Sequence, residues 1–253
     1  MAINRGELLM DNIKSMIKIT SLNKSYGKKQ VLFDINLDVH EGELFGFIGK
    51  NGVGKSTTIE CILGSKLFES GQILINDLDI KKEPIKVKSI IGYSPSEPIC
   101  YEDMKGVEYL EFISSIYHVS PQKFMQNLNF LLKALDLKEE DLYKEIRSYS
   151  HGMKQKLCLI ASLIHNPRIW ILDEPTVGLD AMSTFELTKI MKDYVKLGGT
   201  CFVASHNIDL IAKICDRVAI IKDGKIFNVF DLKKEPSLRN KISAIFIKLY
   251  NEK

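Results

Sequence analysis

A glycine-rich loop between an apolar segment and a helical pattern constrains the fold of this chain more than any other feature. Residues 44–48 are apolar, residues 49–56 read Gly-Lys-Asn-Gly-Val-Gly-Lys-Ser, and helical spacing follows over residues 55–63. The run fits the pattern G-x-x-x-x-G-K-[ST], whose glycines let the backbone curl with its N–H groups around phosphate oxygens. A chance glycine turn is the alternative, and the strand–loop–helix context disfavours it.

This loop predicts a site for a nucleoside triphosphate. Lys55 is expected to reach the β- and γ-phosphates, the Ser56 hydroxyl to ligate Mg²⁺, and the start of the helix to add its positive dipole end. Tyr26, upstream of the loop, is placed to stack on adenine. The candidate ATP-binding residues are Tyr26, Gly49, Lys50, Asn51, Gly52, Val53, Gly54, Lys55, Ser56 and Thr57.

Two later strand ends carry further candidates. Residues 169–172 form an apolar run, typical of a parallel strand covered on both faces, and end in Asp173 and Glu174. We expect Asp173 to hold Mg²⁺ and Glu174 to act as the general base, rather than both being a solvated strand end. His206 follows a second apolar strand. It is expected to contact the γ-phosphate rather than to be a structural histidine.

Apolar strands alternate with helical patterns along the chain, which predicts an α/β fold with a largely parallel sheet. Two early strands over residues 16–22 and 31–39 are expected to join through a turn at 27–30. Helical spacing dominates an insertion over about residues 99–166. The remaining predicted features are strands at 72–75, 201–204 and 218–221, and turns at Asn76-Asp77 and Asp223-Gly224.

The two ends of the chain differ from this pattern. Residues 1–15 are mixed polar and charged, and are interpreted as an extension: a leader, an upstream start or an expression tag. Residues 231–253 predict an amphipathic helix. Its apolar stripe is expected to cover the chain's own core rather than a partner. The stripe comprises Ile242, Ile245, Phe246 and Leu249.

Composition excludes several classes of protein. The 35 basic and 32 acidic residues leave a net charge of +3, so nucleic acid is not an expected partner. The five cysteines have no paired metal-ligand spacing and are expected to be reduced thiols. No apolar run reaches the length of a membrane span, so the chain is not expected to cross a membrane itself.

A third motif adds a second anion-binding feature. Residues 149–155 read Tyr-Ser-His-Gly-Met-Lys-Gln. Ser150 is a favourable N-cap, and helical spacing follows over residues 153–162. Ser150 and Gly152 are therefore expected to present a hydroxyl, a backbone N–H and a helix dipole to an anion.

With these motifs in order, residues 16–230 resemble the ATPase subunit of ATP-binding-cassette (ABC) transporters. The resemblance implies an α/β fold with a P-loop NTPase (RecA-like) core, an N-terminal antiparallel β part and a helical subdomain insertion. In the motif names of that family, the Walker A loop corresponds to residues 49–57 and Walker B to residues 169–174. Residues 175–180 lead into the D-loop with Asp180. His206 is the switch histidine, and the signature contains Ser150, His151, Gly152 and Met153. The implied cofactors are ATP and Mg²⁺, and the implied catalytic residues are Glu174, His206 and Lys55.

The same resemblance implies partners. Each signature serves an ATP held by the other subunit, so we expect a head-to-tail homodimer or a pair with a second ABC ATPase subunit. A separate membrane permease is expected to dock on residues 98–105, where Ile99, Tyr101 and Met104 give an exposed-looking apolar character. Local packing of the insertion is an equally good reading of each of these side chains. The implied location is cytoplasmic, peripheral to the inner face of the cell membrane.

Two departures from the family pattern stand out. His151 and Met153 replace the usual glycine and glutamine, a form similar to the ATPases of bacterial ABC-2-type exporters. Ser96 stands where the Q-loop glutamine is expected and is too short to replace it. Either a water bridges the gap, Glu97 substitutes, or coupling is looser; our hypothesis is that Glu97 partly takes over.

The preferred interpretation is therefore an ATPase subunit that powers export. A non-transport ABC ATPase is one alternative, but such proteins generally carry two cassettes or a long coiled-coil insertion. A nucleotide-gated regulatory module that does not hydrolyse ATP is the other. The presence of Lys55, Asp173, Glu174 and His206 disfavours it.

Overall fold

The computed structural model describes residues 14–251. Most of the expected N-terminal extension, residues 1–13, lies outside the described residues, and Ser15 already belongs to the first strand. The strands are β1 (Ser15–Tyr26), β2 (Lys29–His40), β3 (Leu44–Ile48), β4 (Ser70–Ile75), β5 (Leu78–Asp79), β6 (Ile91–Ser94), β7 (Ile169–Asp173), β8 (Thr200–Ser205), β9 (Arg217–Lys222) and β10 (Lys225–Asp231).

Eight α-helices alternate with these strands over the described part of the chain. They are α1 (Lys55–Ile62), α2 (Pro84–Ser89), α3 (Gly106–Ile116), α4 (Pro121–Ala134), α5 (His151–Leu163), α6 (Ala181–Lys196), α7 (Ile208–Ile214) and α8 (Ile242–Asn251). Short 3₁₀ helices occupy Glu139–Tyr143, Ile146–Ser148 and Pro236–Leu238.

The larger sheet has six strands in the order β10-β9-β3-β8-β7-β6. Every pairing is parallel except that of β9 with β10, which form a hairpin. All residues of β3, β7 and β8 are buried, as expected for parallel strands covered on both faces. The predicted, largely parallel sheet and the turn at Asp223-Gly224 are confirmed.

The smaller sheet is antiparallel, with the order β2-β1-β4-β5. The predicted turn over residues 27–30 was too long, because Tyr26 already pairs with Lys29 and the turn contains only Gly27 and Lys28. The sequence pattern did not predict the first two residues of β2, because an exposed strand end has polar side chains and no apolar alternation. The predicted turn at Asn76-Asp77 is present, with φ of 48° and 66°.

The helices within the predicted insertion of about residues 99–166 are α3, α4 and α5, which follow the edge strand β6 in sequence. Ser120 and Ser150 cap α4 and α5 by accepting hydrogen bonds from the backbone N–H groups of Lys123 and Met153. Their apolar faces join one core cluster with one face of the large sheet, and this cluster includes the fully buried Trp170. The indole N–H of Trp170 donates to Ser162 Oγ at 2.9 Å, which satisfies its polar atom inside this core.

A second core cluster lies between the two sheets and contacts α1. The C-terminal helix α8 begins at Ile242, eleven residues later than the predicted start at 231, because β10 extends to Asp231 and a 3₁₀ turn follows. It packs on the first cluster with Ile242 and Phe246 buried, as expected for its apolar stripe. Among the described helices, none is long and apolar enough to cross a membrane.

Candidate nucleotide-binding site

The parallel sheet brings three of the sequence motifs to one edge. Ile48 pairs with Ser205, and Asp173 pairs with Ala204, so β3, β7 and β8 end side by side. The loop after β3, the acidic pair after β7 and the histidine after β8 therefore meet. The carboxyl ends of parallel strands are where α/β proteins bind ligands.

The glycine loop adopts a conformation that other residues would strain. Gly52 and Gly54 have φ of 80° and 112°, in the region that favours glycine. A side chain at Gly49 would place its Cβ 2.7 Å from the Ile221 carbonyl oxygen. Lys50, Asn51, Gly52 and Ser56 are exposed, so the outer rim of the loop is open to a ligand.

Lys55 turns back into the curve of this loop. Its side chain is only 5% exposed, and Nζ donates to the carbonyl oxygens of Gly49 at 2.9 Å and Lys50 at 3.3 Å. The same Nζ lies 3.2 Å from Glu174 Oε1. The ammonium group is thus held at the centre of the loop and paired with the candidate general base.

Glu174 joins the three motifs. Its Oε2 accepts hydrogen bonds from the His206 backbone N–H at 3.1 Å and from Ser205 Oγ at 3.1 Å. It also lies 2.8 Å from His206 Nδ1. The Glu174 backbone has φ of 49°, a conformation uncommon outside glycine, and such strain is frequent at functional sites.

Asp173 and Ser56 form the candidate Mg²⁺ position. Burial raises the pKa of Asp173, while a hydrogen bond from Ser56 opposes that shift. Asp173 Oδ1 is buried without a hydrogen-bond partner. A carboxylate and a hydroxyl beside a phosphate loop suit Mg²⁺, which takes few protein ligands and completes its shell with water and phosphate. Among the described residues, no group of three or more His, Cys, Asp or Glu side chains is arranged to hold a metal ion.

Tyr26 lies beside the helix that follows the loop. Its ring is 44% exposed, and its hydroxyl donates to Glu60 Oε2 on α1 at 3.2 Å. An exposed ring so close to α1 fits the expectation of adenine stacking. Sequence reasoning missed Tyr93, at the end of β6, where burial and the nearby Asp173 carboxylate raise the pKa of the phenol to about 12.

The predicted signature residues lie on a different surface of the chain. Ser150 and His151 are exposed at the start of α5, which packs against α3, α4 and β6. A side chain at Gly152 would meet no atom within 4 Å, so this face is open. A side chain at Gly178 would place its Cβ 2.5 Å from the His151 ring, so the signature lies beside the loop after Glu174.

Comparison with known proteins agrees with this geometry. The model of a family described as "ABC transporter" matches residues 32–177, more than half of the chain. The chain belongs to the ABC transporter family. It is 35% identical to the uncharacterized ABC transporter ATP-binding protein MJ1023 of Methanocaldococcus jannaschii, over 84% of this chain and 76% of that protein.

Two further likenesses support the assignment. The linearmycin resistance ATP-binding protein LnrL of Bacillus subtilis is 34% identical, over 85% of this chain and 68% of its own length. A solved structure of the ATP-binding subunit of an ABC transporter superposes with a TM-score of 0.86 and 27% identity, covering 94% of this chain and all of that one. The predicted P-loop fold with its antiparallel part and helical insertion is confirmed. The ABC family binds ATP, and membership implies ATP hydrolysis.

Within the ABC fold, the remaining predicted residues have the following positions. Asp180 is exposed and caps α6 by accepting from the Ser183 N–H at 2.7 Å, and this hydrogen bond lowers its pKa. Ser96 is partly buried just after β6, and Glu97 is exposed. Both therefore follow the strand whose Tyr93 lies near Asp173.

The segment expected to meet a permease exposes its apolar side chain at two of the three named positions. Ile99 is 74% exposed and Tyr101 is 59% exposed. Met104 differs from expectation: it is partly buried and packs on the core of the insertion. The reason is that its backbone pairs with Ile146, whose N–H donates to the Met104 carbonyl at 2.9 Å and draws this part of the segment inward.

Sequence reasoning also missed a contact between the C-terminal helix and the Walker A loop. Tyr250 Oη donates to the Ile221 carbonyl at 2.8 Å and accepts from the Lys50 backbone N–H at 3.3 Å. The Lys50 ammonium lies 4.5 Å from the centre of the Tyr250 ring. Two hundred residues separate the partners, and no motif signals the pairing.

Proposed function

We propose that this chain is the ATP-hydrolysing subunit that powers export through a separate membrane permease. The observation that carries the proposal is the convergence of Lys55, Glu174 and His206 at one edge of the sheet. A binding module would need the loop and Lys55. It would not need a carboxylate held by a histidine at the same place.

The proposed chemistry follows from the side chains. Glu174 accepts a proton from the attacking water as the general base. His206, whose side chain is 53% exposed, orients that carboxylate and faces the γ-phosphate. Lys55 and the loop N–H groups bind the phosphates and stabilise the charge of the transition state.

Ser56 and Asp173 are the side chains proposed to hold Mg²⁺. Bound there, the ion neutralises charge that develops on the phosphate oxygens. The unpartnered Oδ1 of Asp173 supports this assignment, because a buried carboxylate oxygen otherwise lacks compensation.

A second subunit is proposed to complete each site. The exposed Ser150 and the open face at Gly152 offer an anion-binding helix start that faces away from the core of its own subunit. A head-to-tail pair places that helix start over the γ-phosphate of the partner. The partner is a second copy of this chain or another ABC ATPase subunit.

Export is favoured over import by two observations. The signature resembles the form of ABC-2-type exporters, and the relative LnrL is named for resistance to linearmycin. We place the permease on residues 98–105, where Ile99 and Tyr101 are exposed. The chain then acts in the cytoplasm, at the inner face of the cell membrane.

Phosphate release from ATP and Mg²⁺ by the purified protein tests the proposal. Glu174→Gln should lower turnover by about 10²–10⁴-fold, the usual contribution of a general base, and leave ATP binding intact. Glu111→Gln on α3 is the matched control, because its carboxylate is exposed outside the site. Equal turnover in Glu174→Gln and in the unmodified chain would show that Glu174 is not the general base.

The same assay separates the rival function. A nucleotide-gated regulatory module would bind ATP and release no phosphate above background. Binding of a nucleotide by Lys55 and the loop would persist in that case, so measured affinity alone does not distinguish the two.

A further inference from the structure

Two cysteines from distant parts of the chain meet beside the signature helix. Cys100 lies in the segment of residues 98–105, and Cys158 lies in α5, 58 residues further along the chain. Their sulfur atoms are 3.3 Å apart and both thiols are free. A disulfide bond of about 2 Å would require the sulfurs to approach by about 1.3 Å.

The two thiols have unequal surroundings. The hydrogen bond from Cys158 lowers the pKa of Cys100, and the Lys154 ammonium and the Tyr109 hydroxyl act in the same direction, against burial and the Glu102 carboxylate. The same hydrogen bond and burial raise the pKa of Cys158. Cys100 is also the more accessible residue, since it is partly exposed and Cys158 is 5% exposed. Cys100 is therefore suited to be the attacking thiolate and Cys158 the second thiol.

The other three cysteines provide an internal comparison. Cys61, Cys201 and Cys215 are fully buried. Burial raises the pKa of each thiol, to about 11 for Cys61. Inert thiols of this kind are not expected to react under conditions that oxidise Cys100.

We propose that Cys100 and Cys158 form a thiol–disulfide switch that hydroperoxides close. The Cys100 thiolate attacks the O–O bond of the peroxide, which leaves Cys100 as a sulfenic acid and releases hydroxide. Cys158 then attacks the sulfenic sulfur, the S–S bond forms, and water leaves with the Cys158 proton. The two thiols lose two electrons, and hydrogen peroxide is reduced to two waters once the hydroxide takes up the proton that Cys100 gave up.

The disulfide would tether two functional parts of the molecule. It would join the segment that carries the exposed Ile99 and Tyr101 to the helix that begins at the signature residue Ser150. Such a tether restricts the segment that faces the permease under the proposed function. That consequence rests on the proposed function, whereas the chemistry of the sulfur pair does not.

Oxidation of the purified full-length protein tests the pair directly. Hydrogen peroxide in small molar excess should remove the mass of two hydrogen atoms, and dithiothreitol should restore it. Peptide mapping without reduction should recover Cys100 linked to Cys158, with Cys61, Cys201 and Cys215 still open to alkylation after unfolding. A link between other cysteines, or five reduced cysteines, would overturn the proposal.

Two variants assign the roles without relying on the linked peptide. Cys100→Ser should show no mass loss and no sulfenic acid at position 158. Cys158→Ser should hold Cys100 as a sulfenic acid that dimedone traps. Dimedone labelling of Cys158 instead of Cys100 would contradict the order of attack.

A separate measurement tests whether the disulfide restricts the segment of residues 98–105. Amide hydrogen exchange over residues 99–104 should slow at least threefold in the oxidised protein and stay unchanged in oxidised Cys100→Ser. Unchanged exchange in a protein with the disulfide formed would show that the bond restricts nothing. Phosphate release by the reduced protein is measured separately, so a failed switch and a failed ATPase assignment give different results.

Discussion

The ammonium group of Lys55 contacts two loop carbonyls and the carboxylate of Glu174. Under the proposed function, phosphate oxygens replace Glu174 as its anionic partner. Glu174 then keeps the contacts of Oε2 to Ser205 and His206, so its carboxylate stays beside the position of the attacking water. A single lysine thus couples nucleotide binding to release of the general base.

Glu97 is the residue that we expect to replace part of the role of the missing Q-loop glutamine. It is exposed and follows β6, whose Tyr93 lies close enough to Asp173 for that carboxylate to raise the pKa of the phenol. If Glu97 partly replaces the glutamine, Glu97→Ala should lower the rate of phosphate release about three- to tenfold, the usual effect of losing one ordinary hydrogen bond.

The matched variants for this prediction are Glu111→Ala and Ser96→Gln. Glu111→Ala removes an exposed carboxylate on α3 and should leave the rate unchanged. Ser96→Gln supplies the expected amide, so adding Glu97→Ala to it should cost little. The idea fails if Glu97→Ala alone hydrolyses ATP, and responds to a permease, as the unmodified chain does.

At the scale of elements, α8 acts on the Walker A loop through Tyr250. The phenol bridges the Ile221 carbonyl and the Lys50 N–H, and the ring packs on Phe246 with centroids 4.5 Å apart. Tyr250→Phe keeps the ring and removes both hydrogen bonds. Because one hydrogen bond contributes about 1 kcal/mol, we expect the KM for ATP to rise about three- to tenfold with kcat nearly constant.

The control on the same helix is Ile247→Ala, since Ile247 is 57% exposed. Fluorescent-nucleotide titration and steady-state kinetics measure the two variants side by side. A fall in kcat at unchanged KM would place Tyr250 in the chemical step instead of in the shaping of the loop.

The strand β3 begins beside a buried carboxylate that makes stability depend on pH. Glu43 is 7% exposed and accepts from the His40 N–H at 2.6 Å and from Arg217 Nη1 at 3.1 Å. Burial outweighs these contacts and raises the pKa of Glu43 to about 7. A raised carboxyl pKa means that the folded state binds the proton more tightly than the unfolded state.

The sign of the effect follows. The contribution of Glu43 to stability is fully present below its unfolded pKa of about 4.5 and is lost as pH rises through about 7. Relative to Glu43→Gln, the unmodified chain should therefore lose up to about 3 kcal/mol of its free energy of unfolding between pH 5 and pH 8. Urea unfolding of both proteins at each pH measures the difference, and parallel pH dependences would contradict it.

Sequence patterns predicted the elements that local chemistry determines. The loop of residues 49–56, the Ser150 cap and the apolar strands β3, β7 and β8 each depend on neighbours in sequence or on burial of a whole segment. Contacts between distant segments depend on packing that no local pattern encodes. The Tyr250–Lys50 bridge and the Cys100–Cys158 pair are of this kind.

In the candidate site, too, the motifs predicted which residues take part but not how they contact one another. Lys55, Asp173, Glu174 and His206 were identified from motifs, and the parallel register of the sheet explains why they meet. Their pairwise arrangement, with Glu174 ion-paired to Lys55 and in contact with His206, is visible only in the structure. Met104 shows the limit of reading exposure from residue type, because one backbone hydrogen bond draws it inward.

On the scale of the whole molecule, the chain presents two half-sites on different surfaces. One combines the phosphate loop with Glu174 and His206, and the other is the start of α5 with Ser150 and His151 exposed. The His151 ring leaves no room for a side chain at Gly178, four residues after Glu174, so the second half-site lies beside the loop that follows the first. A two-fold dimer would join one half-site of each kind at both ATP positions.

The dimer prediction follows from this arrangement. With ATP and Mg²⁺, Glu174→Gln should bind nucleotide and hydrolyse it only slowly, and so should accumulate as a dimer in sedimentation or light scattering. Adding Ser150→Arg removes the cap of α5 and fills the open helix start with a long side chain. This double variant should remain monomeric and still bind ATP, because Lys55 and the loop are unchanged.

The control is to add Ser115→Arg to Glu174→Gln instead. Ser115 is an exposed serine of α3, so this change should leave the dimer intact. A double variant with Ser150→Arg that dimerises as readily as Glu174→Gln alone would show that the start of α5 does not complete the partner's site.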